Sequence, residues 1–167
     1  MAETRILVAI DDSPASRRAV TYVAKLVGRR RGFRLYVVHV LPPLPTELLE
    51  HGGSEDPTKE TRLEVNLKSE QQLWISAAKK AAQKGLNKAR TSLRRAGISA
   101  GAVQALFSEP ADGRDAADAI LQMAHECKCH TIVVGRQSVS WFHELFSKEL
   151  AEELLRRGKG FSVWLVQ

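Results

Sequence analysis

Apolar and polar positions follow two rhythms along this chain. Short, mostly apolar runs, many rich in β-branched residues, read as strands buried on both faces. They fall at Arg5–Asp11, Arg34–Leu41, Val103–Phe107, Thr131–Val134 and Phe161–Val166. Between them, apolar residues recur at helical spacing. Ala19, Val20, Val23, Leu26 and Val27 predict a helix from about Pro14 to Arg30. Ser13 is its natural N-cap, Pro14 suits its first turn and Gly32 breaks it. Leu73, Ala77, Ala81, Leu86, Ala89 and Leu93 predict a second helix, from about Ser69 to Ala96, with Gly85 as a candidate kink. A turn at Pro110–Gly113 and helices at about Asp115–Glu126 and Leu145–Arg157 complete the chain.

Strand and helix therefore alternate, which predicts an α/β fold: a parallel sheet in a three-layer arrangement with helices on both faces. Right-handed crossovers leave only a few doubly wound topologies. No repeat and no second domain is visible, so residues 1–167 read as one domain. The exception to the rhythm is a polar stretch at about 42–68. It holds Pro45, Gly52, Gly53 and Pro57, with one short helical candidate at Thr46–Glu50. A loop of that length is expected to be mobile and to lie beside the crevice at the strand ends.

Composition narrows the function classes. A hydrophobic content of 44% and a charged content of 26% are those of a globular domain with a full core. No apolar run is long enough for a membrane span, and the first residues lack a signal-peptide layout, so a cytoplasmic location is expected. The net charge of +6 permits polyanion binding. The cations are scattered, however, as Arg29–Arg31, Lys79–Lys80, Arg94–Arg95 and Arg156–Arg157, and no RNA-binding aromatic motif or zinc-finger spacing accompanies them. Nucleic acid is not the expected partner.

Candidate chemistry is sparse. His125, Cys127, Cys129 and His130 are of metal-ligand type, but their spacing is not that of a zinc knuckle, and Cys129 falls at the start of a buried strand. No metal is expected, and the thiols are expected to be reduced. Asp11 and Asp12 are adjacent carboxylates at a strand end, a place where Asp commonly caps the following turn. His39 lies within an apolar strand, as a core histidine does. No nucleophile elbow, phosphate-binding lysine loop or zinc-protease motif occurs, so no catalytic residue is assigned and no enzymatic activity is expected. Gly135, between the strand at Thr131–Val134 and the next helix, sits where open α/β sheets bind ligands.

ILVAIDDSPAS with Asp11 and Ser13, VVHVL with His39 and Val40, the SEP-A and ADAIL pieces, AHECKCHTIVVG and the final FSVWLVQ occur in this order along the chain. Together they resemble the universal stress protein family over essentially the whole sequence. The resemblance implies strand order 3-2-1-4-5 in a Rossmann- or flavodoxin-like sheet, with a crevice between the first and fourth strands. In nucleotide-binding members that crevice holds ATP. By resemblance, Asp11 stands near adenine or ribose, Val40 lines the adenine site, and the loop after the fourth strand holds the phosphates. The resemblance also implies a homodimer, paired through the last strand at 161–166.

The phosphate loop departs from the family pattern of Gly, two residues, Gly, nine residues, Gly, then Ser or Thr. Read without a gap, this chain has Gly135, Ser138, Lys148 and Glu149 at those positions. Shortened by two residues, the loop ends in Phe146 and Ser147 instead, which restores the hydroxyl but not the glycine. Glycines leave room for phosphate oxygens beside bare backbone. Glu149 beside a phosphate costs about 1–4 kcal/mol of repulsion, depending on screening. Trp141 and Phe142 add bulk. The expected function is therefore that of a stress-response binding and association module with ATP binding weak or lost, requiring no cofactor and acting on a protein partner not named by the sequence. One alternative keeps ATP or AMP in a changed pose, with Lys148 and Arg136 on the phosphates. Another is a basic, polyanion-associated protein.

Overall fold

The computed structural model describes residues 3–108, 115–136 and 149–167, together with the helical backbone of Lys148. Strands β1 (Thr4–Ile10), β2 (Phe33–His39), β3 (Val103–Phe107), β4 (Thr131–Gly135) and β5 (Ser162–Val166) form one sheet. Its order is β3-β2-β1-β4-β5 and all four pairings are parallel. Among the described residues four helices surround it: α1 (Pro14–Val27), α2 (Pro57–Arg95), α3 (Ala116–Glu126) and α4 (Lys148–Arg157).

The strands of the sheet centre are buried on both sides, so their apolar residues divide by parity. Ile6, Val8 and Ile10 of β1 face α1 and α2, joined by Val23 and Leu86. Leu7 and Ala9 face α3 and α4, joined by Ile120 and Leu154. This two-sided burial is why continuous apolar runs, rather than alternating ones, predicted the strands. At the two edges, β3 and β5 are only half-buried.

Two helices differ from expectation. α1 stops at Val27, because Gly28 takes a left-handed φ of 51° and its N–H bonds the Ala24 carbonyl. Arg29–Arg31 thus follow the helix instead of closing it. α2 starts at Pro57, not near Ser69, and runs through Gly85 without a break. Its signal is local: Asp56 is the N-cap, accepting from the Thr58 N–H at 2.9 Å, and Pro57 occupies the first turn. The helical pattern was faint there because residues 57–81 contain no buried side chain; the buried positions of α2 are Ala82, Leu86, Ala89 and Leu93. The irregular stretch is thereby reduced to residues 40–56, which holds a 3₁₀ turn at Thr46–Leu48. It is fastened to α2 by Gln71, whose side-chain amide donates to the Leu48 carbonyl at 2.6 Å. The predicted turn at Pro110–Gly113 and the first residues of the predicted helix at Leu145–Arg157 lie outside the described residues.

Candidate functional site

The crevice forms where β1 and β4 end and α1 begins. Leaving β1, the chain needs to cap α1, and the Asp-Asp-Ser-Pro-Ala-Ser stretch does so with a closed hydrogen-bond network. Asp11 Oδ1 accepts from the Ser13 N–H at 2.8 Å and from the Ser16 hydroxyl at 2.7 Å. The Asp11 N–H donates to Ser16 Oγ at 2.9 Å, and Ser13 Oγ accepts from the Ser16 N–H at 3.2 Å. Asp11 is only 7% exposed, yet its second oxygen, Oδ2, has no hydrogen-bond partner among the described residues. A buried carboxylate oxygen without a donor is costly, and marks a place where a ligand donor fits.

Val40 is buried directly after β2, and its N–H donates to the Ile10 carbonyl at 2.9 Å. Asp11 and Val40 are therefore held beside each other by the backbone. Gly135 closes β4 at the same edge, level with the end of β1. Gly135 stands at the end of the sheet where the sequence reading placed a ligand, and it also has a packing constraint: a Cβ at Gly135 would run into the Ala15 carbonyl group and stand 2.9 Å from Ala15 Cβ. The first turn of α1 sits on this glycine. Arg136 continues the sheet pairing, its N–H donating to the Val166 carbonyl at 2.7 Å, while its own carbonyl accepts from Arg18.

The phosphate half of the candidate site is described only at its rims. Ser138, Trp141, Phe142, His143, Phe146 and Ser147 lie outside the described residues. Lys148 opens α4, and Glu149 is exposed in its first turn.

Asp12 does not join Asp11. Its carboxylate turns outward, 63% exposed, and stands 3.5 Å from Nε2 of buried His39. Neither His39 nitrogen has a hydrogen-bond partner among the described residues. Asp11 and Asp12 both border a cavity of about 390 Å³ between α1 and α2, which Arg17, Lys84, Lys88, Ile10 and Val20 also line. The sequence reading missed these cations. Lys84 and Lys88, one turn apart on either side of Gly85, were the available signal.

The cysteines are poor ligands and poor nucleophiles. Burial, reinforced by Cys127, pushes the Cys129 thiol up to about 12. Burial and the neighbouring Glu126 also raise the Cys127 thiol. Both therefore stay protonated at neutral pH, whereas metal binding and attack need the thiolate. Both are free thiols. His125 packs edge-on against Phe161, with ring centres 4.9 Å apart.

Among solved structures, a universal stress protein from Burkholderia pseudomallei matches with a TM-score of 0.65 at 21% identity, over 98% of this chain and 95% of that one. A universal stress protein in complex with cAMP matches with a TM-score of 0.59 at 20% identity, over 100% and 98%. The universal stress protein of Archaeoglobus fulgidus in complex with dAMP matches with a TM-score of 0.56 at 19% identity, over the whole of both chains. These similarities establish the fold. Among curated proteins none matches. The model of the universal stress protein family matches residues 3–167, and with the strand order and crevice described above, the chain belongs to that family.

Proposed function

We propose that this protein is a binding module of the stress response, without enzymatic turnover, whose crevice takes the nucleoside part of an adenine nucleotide weakly and gains little from a triphosphate. The observation that carries the reading is Asp11 Oδ2, buried at the end of β1 with no donor among the described residues. A ribose hydroxyl or an adenine amino group supplies such a donor. Two structurally similar universal stress proteins were solved with cAMP and dAMP, which supports a monophosphate nucleotide as the candidate ligand. Against a triphosphate stands the loop sequence, with Ser138, Lys148 and Glu149, or Phe146 in the shortened alignment, in place of the family's later glycines and hydroxyl. By their place in the sequence, Lys148 and Arg136 are candidate cations for a single phosphate.

Calorimetry with adenosine, AMP and Mg-ATP tests the reading. ATP is expected to bind with a dissociation constant above roughly 100 µM, weaker than about −5.5 kcal/mol. AMP should bind no more weakly than ATP, and Asp11→Ala should reduce both. Low-micromolar ATP binding overturns the reading. In the gapless alignment, Ser138→Gly, Lys148→Gly and Glu149→Ser together should strengthen ATP binding; in the shortened one, Ser138→Gly with Phe146→Gly should.

Association is expected through a homodimer in which the β5 edges, residues 161–166, pair. Among the described residues β5 has a strand neighbour on one side only, β4, and it contains neither proline nor lysine to block pairing. A second reading, polyanion binding, draws on the stripe of Lys84, Lys88 and Arg95 along one side of α2. It requires nucleic-acid affinity that falls steeply with salt.

A further inference from the structure

We propose that His51, Glu60 and Glu64 form a binding site for a divalent transition-metal ion of the zinc type. His51 lies in the irregular stretch before α2. Glu60 and Glu64 are one turn apart on α2, and so share a face. One ligand atom from each residue lies within 4.8 Å of the other two. Around a tetrahedral zinc ion such atoms stand about 3.3 Å apart, as bond lengths near 2.0 Å require. Binding therefore requires the ligand atoms to draw together by up to about 1.5 Å.

The charged partner of the histidine is Glu60, itself one of the three ligands. The Nδ1 of His51 is shielded from solvent without a hydrogen-bond partner among the described residues. Its Nε2 stands 3.7 Å from Glu60 Oε1, beyond hydrogen-bonding distance. Glu60 is already oriented: Oε2 accepts from the Ser54 N–H at 2.6 Å, which leaves Oε1 for the ion and supplies the outer support that metal ligands need. Glu60 and Glu64 carry like charges one turn apart, an unfavourable pair that a dication relieves.

One imidazole and two carboxylates suit zinc, cobalt or nickel; magnesium and calcium prefer all-oxygen sites. Glu64 is exposed, so water completes the coordination. The ion would fasten the stretch before α2 to the half of that helix that buries no side chain. The site shares no residue with the crevice and does not depend on its ligand.

Chelator-treated full-length protein is titrated with Zn²⁺ by calorimetry and with Co²⁺ by visible absorbance. One saturable site is expected, unaffected by equimolar Mg²⁺. His51→Ala and Glu64→Gln should each weaken it by at least about tenfold, while Cys127→Ser leaves it unchanged. Amide exchange at residues 51–64 should slow on zinc addition in the wild type and not in His51→Ala. Absence of saturation below roughly 100 µM overturns the proposal. So does zinc binding that survives both His51→Ala and Glu64→Gln, or that Cys127→Ser removes.

Discussion

Replacing Gly135 by alanine isolates what this glycine does. The added Cβ meets the Ala15 carbonyl group and lies 2.9 Å from Ala15 Cβ. The obstacle is backbone in the first turn of α1, so no side-chain rotation relieves it. Gly135 closes the fully buried strand β4, and Ala15 is held by the Asp11–Ser13–Ser16 capping network. Either α1 shifts as a body or the β4–β5 pairing at Gly135↔Val166 loosens. Overpacking of this kind costs about 1–3 kcal/mol, and a rigid obstacle puts the cost at the upper end. For a domain of this size 3 kcal/mol lowers the melting temperature by about 6–12 °C. Gly85→Ala provides the contrast. There the new Cβ meets Asp12 Oδ1 at 2.6 Å, the tip of an exposed side chain free to swing away. Helix propensity favours alanine over glycine by about 1 kcal/mol, so Gly85→Ala should be neutral or stabilising. Thermal and urea melts of both variants, without added nucleotide, measure the difference. If Gly135→Ala costs less than about 0.5 kcal/mol, the packing account of this glycine is wrong.

Arg157 on α4 bonds Asp115 and Asp118 at the start of α3, each at 2.6 Å. Burial pushes the Asp115 carboxyl up, but the Asp118 N–H and Arg157 outweigh it and hold it below its ordinary value. A depressed folded pKa gives stability that is present above the unfolded value, about 3.9, and lost as pH falls through the folded one. The melting-temperature gap between wild type and Arg157→Ala should therefore be present at pH 7 and close in acid; a gap that is constant down to pH 2 refutes the pairing. Light scattering at micromolar concentration should show a dimer that Val163→Pro turns into a monomer; a monomeric wild type, or a dimer indifferent to the proline, moves the interface off β5. Limited proteolysis should cut first within residues 50–55, since helix begins at Pro57. First cleavage beyond Ser69 contradicts that placement.

How much of this was legible in the sequence depended on burial. The central strands were plain because both of their faces are covered, and Arg5–Asp11 or Thr131–Val134 carry no polar interruption. The first half of α2 was hidden for the opposite reason. Leu63, Leu67 and Trp74 are only partly covered, so the apolar rhythm was weak, while the Asp56–Pro57 start signal lay inside a stretch judged by its glycines and prolines. At the candidate site, Asp11 and Val40 were singled out by resemblance, and the backbone bond from Val40 to Ile10 sets them beside each other. The role of Gly135 was not, because its constraint comes from Ala15, more than a hundred residues away in sequence. The cations of the α1–α2 cavity were missed likewise, since Arg17 meets Lys84 and Lys88 only through the fold.

The length of α2 has a further consequence. At 39 residues it spans about 58 Å, whereas a seven-residue strand such as β1 spans about 23 Å. Only the turns from Ala82 onward lie against the sheet with buried side chains. The sheet therefore sets the position of the end of this helix but not its extent. Turns added or removed between Pro57 and Ala81 leave the buried residues of α2 in place so long as the register from Ala82 is preserved; what they move is Gln71 and its bond to Leu48.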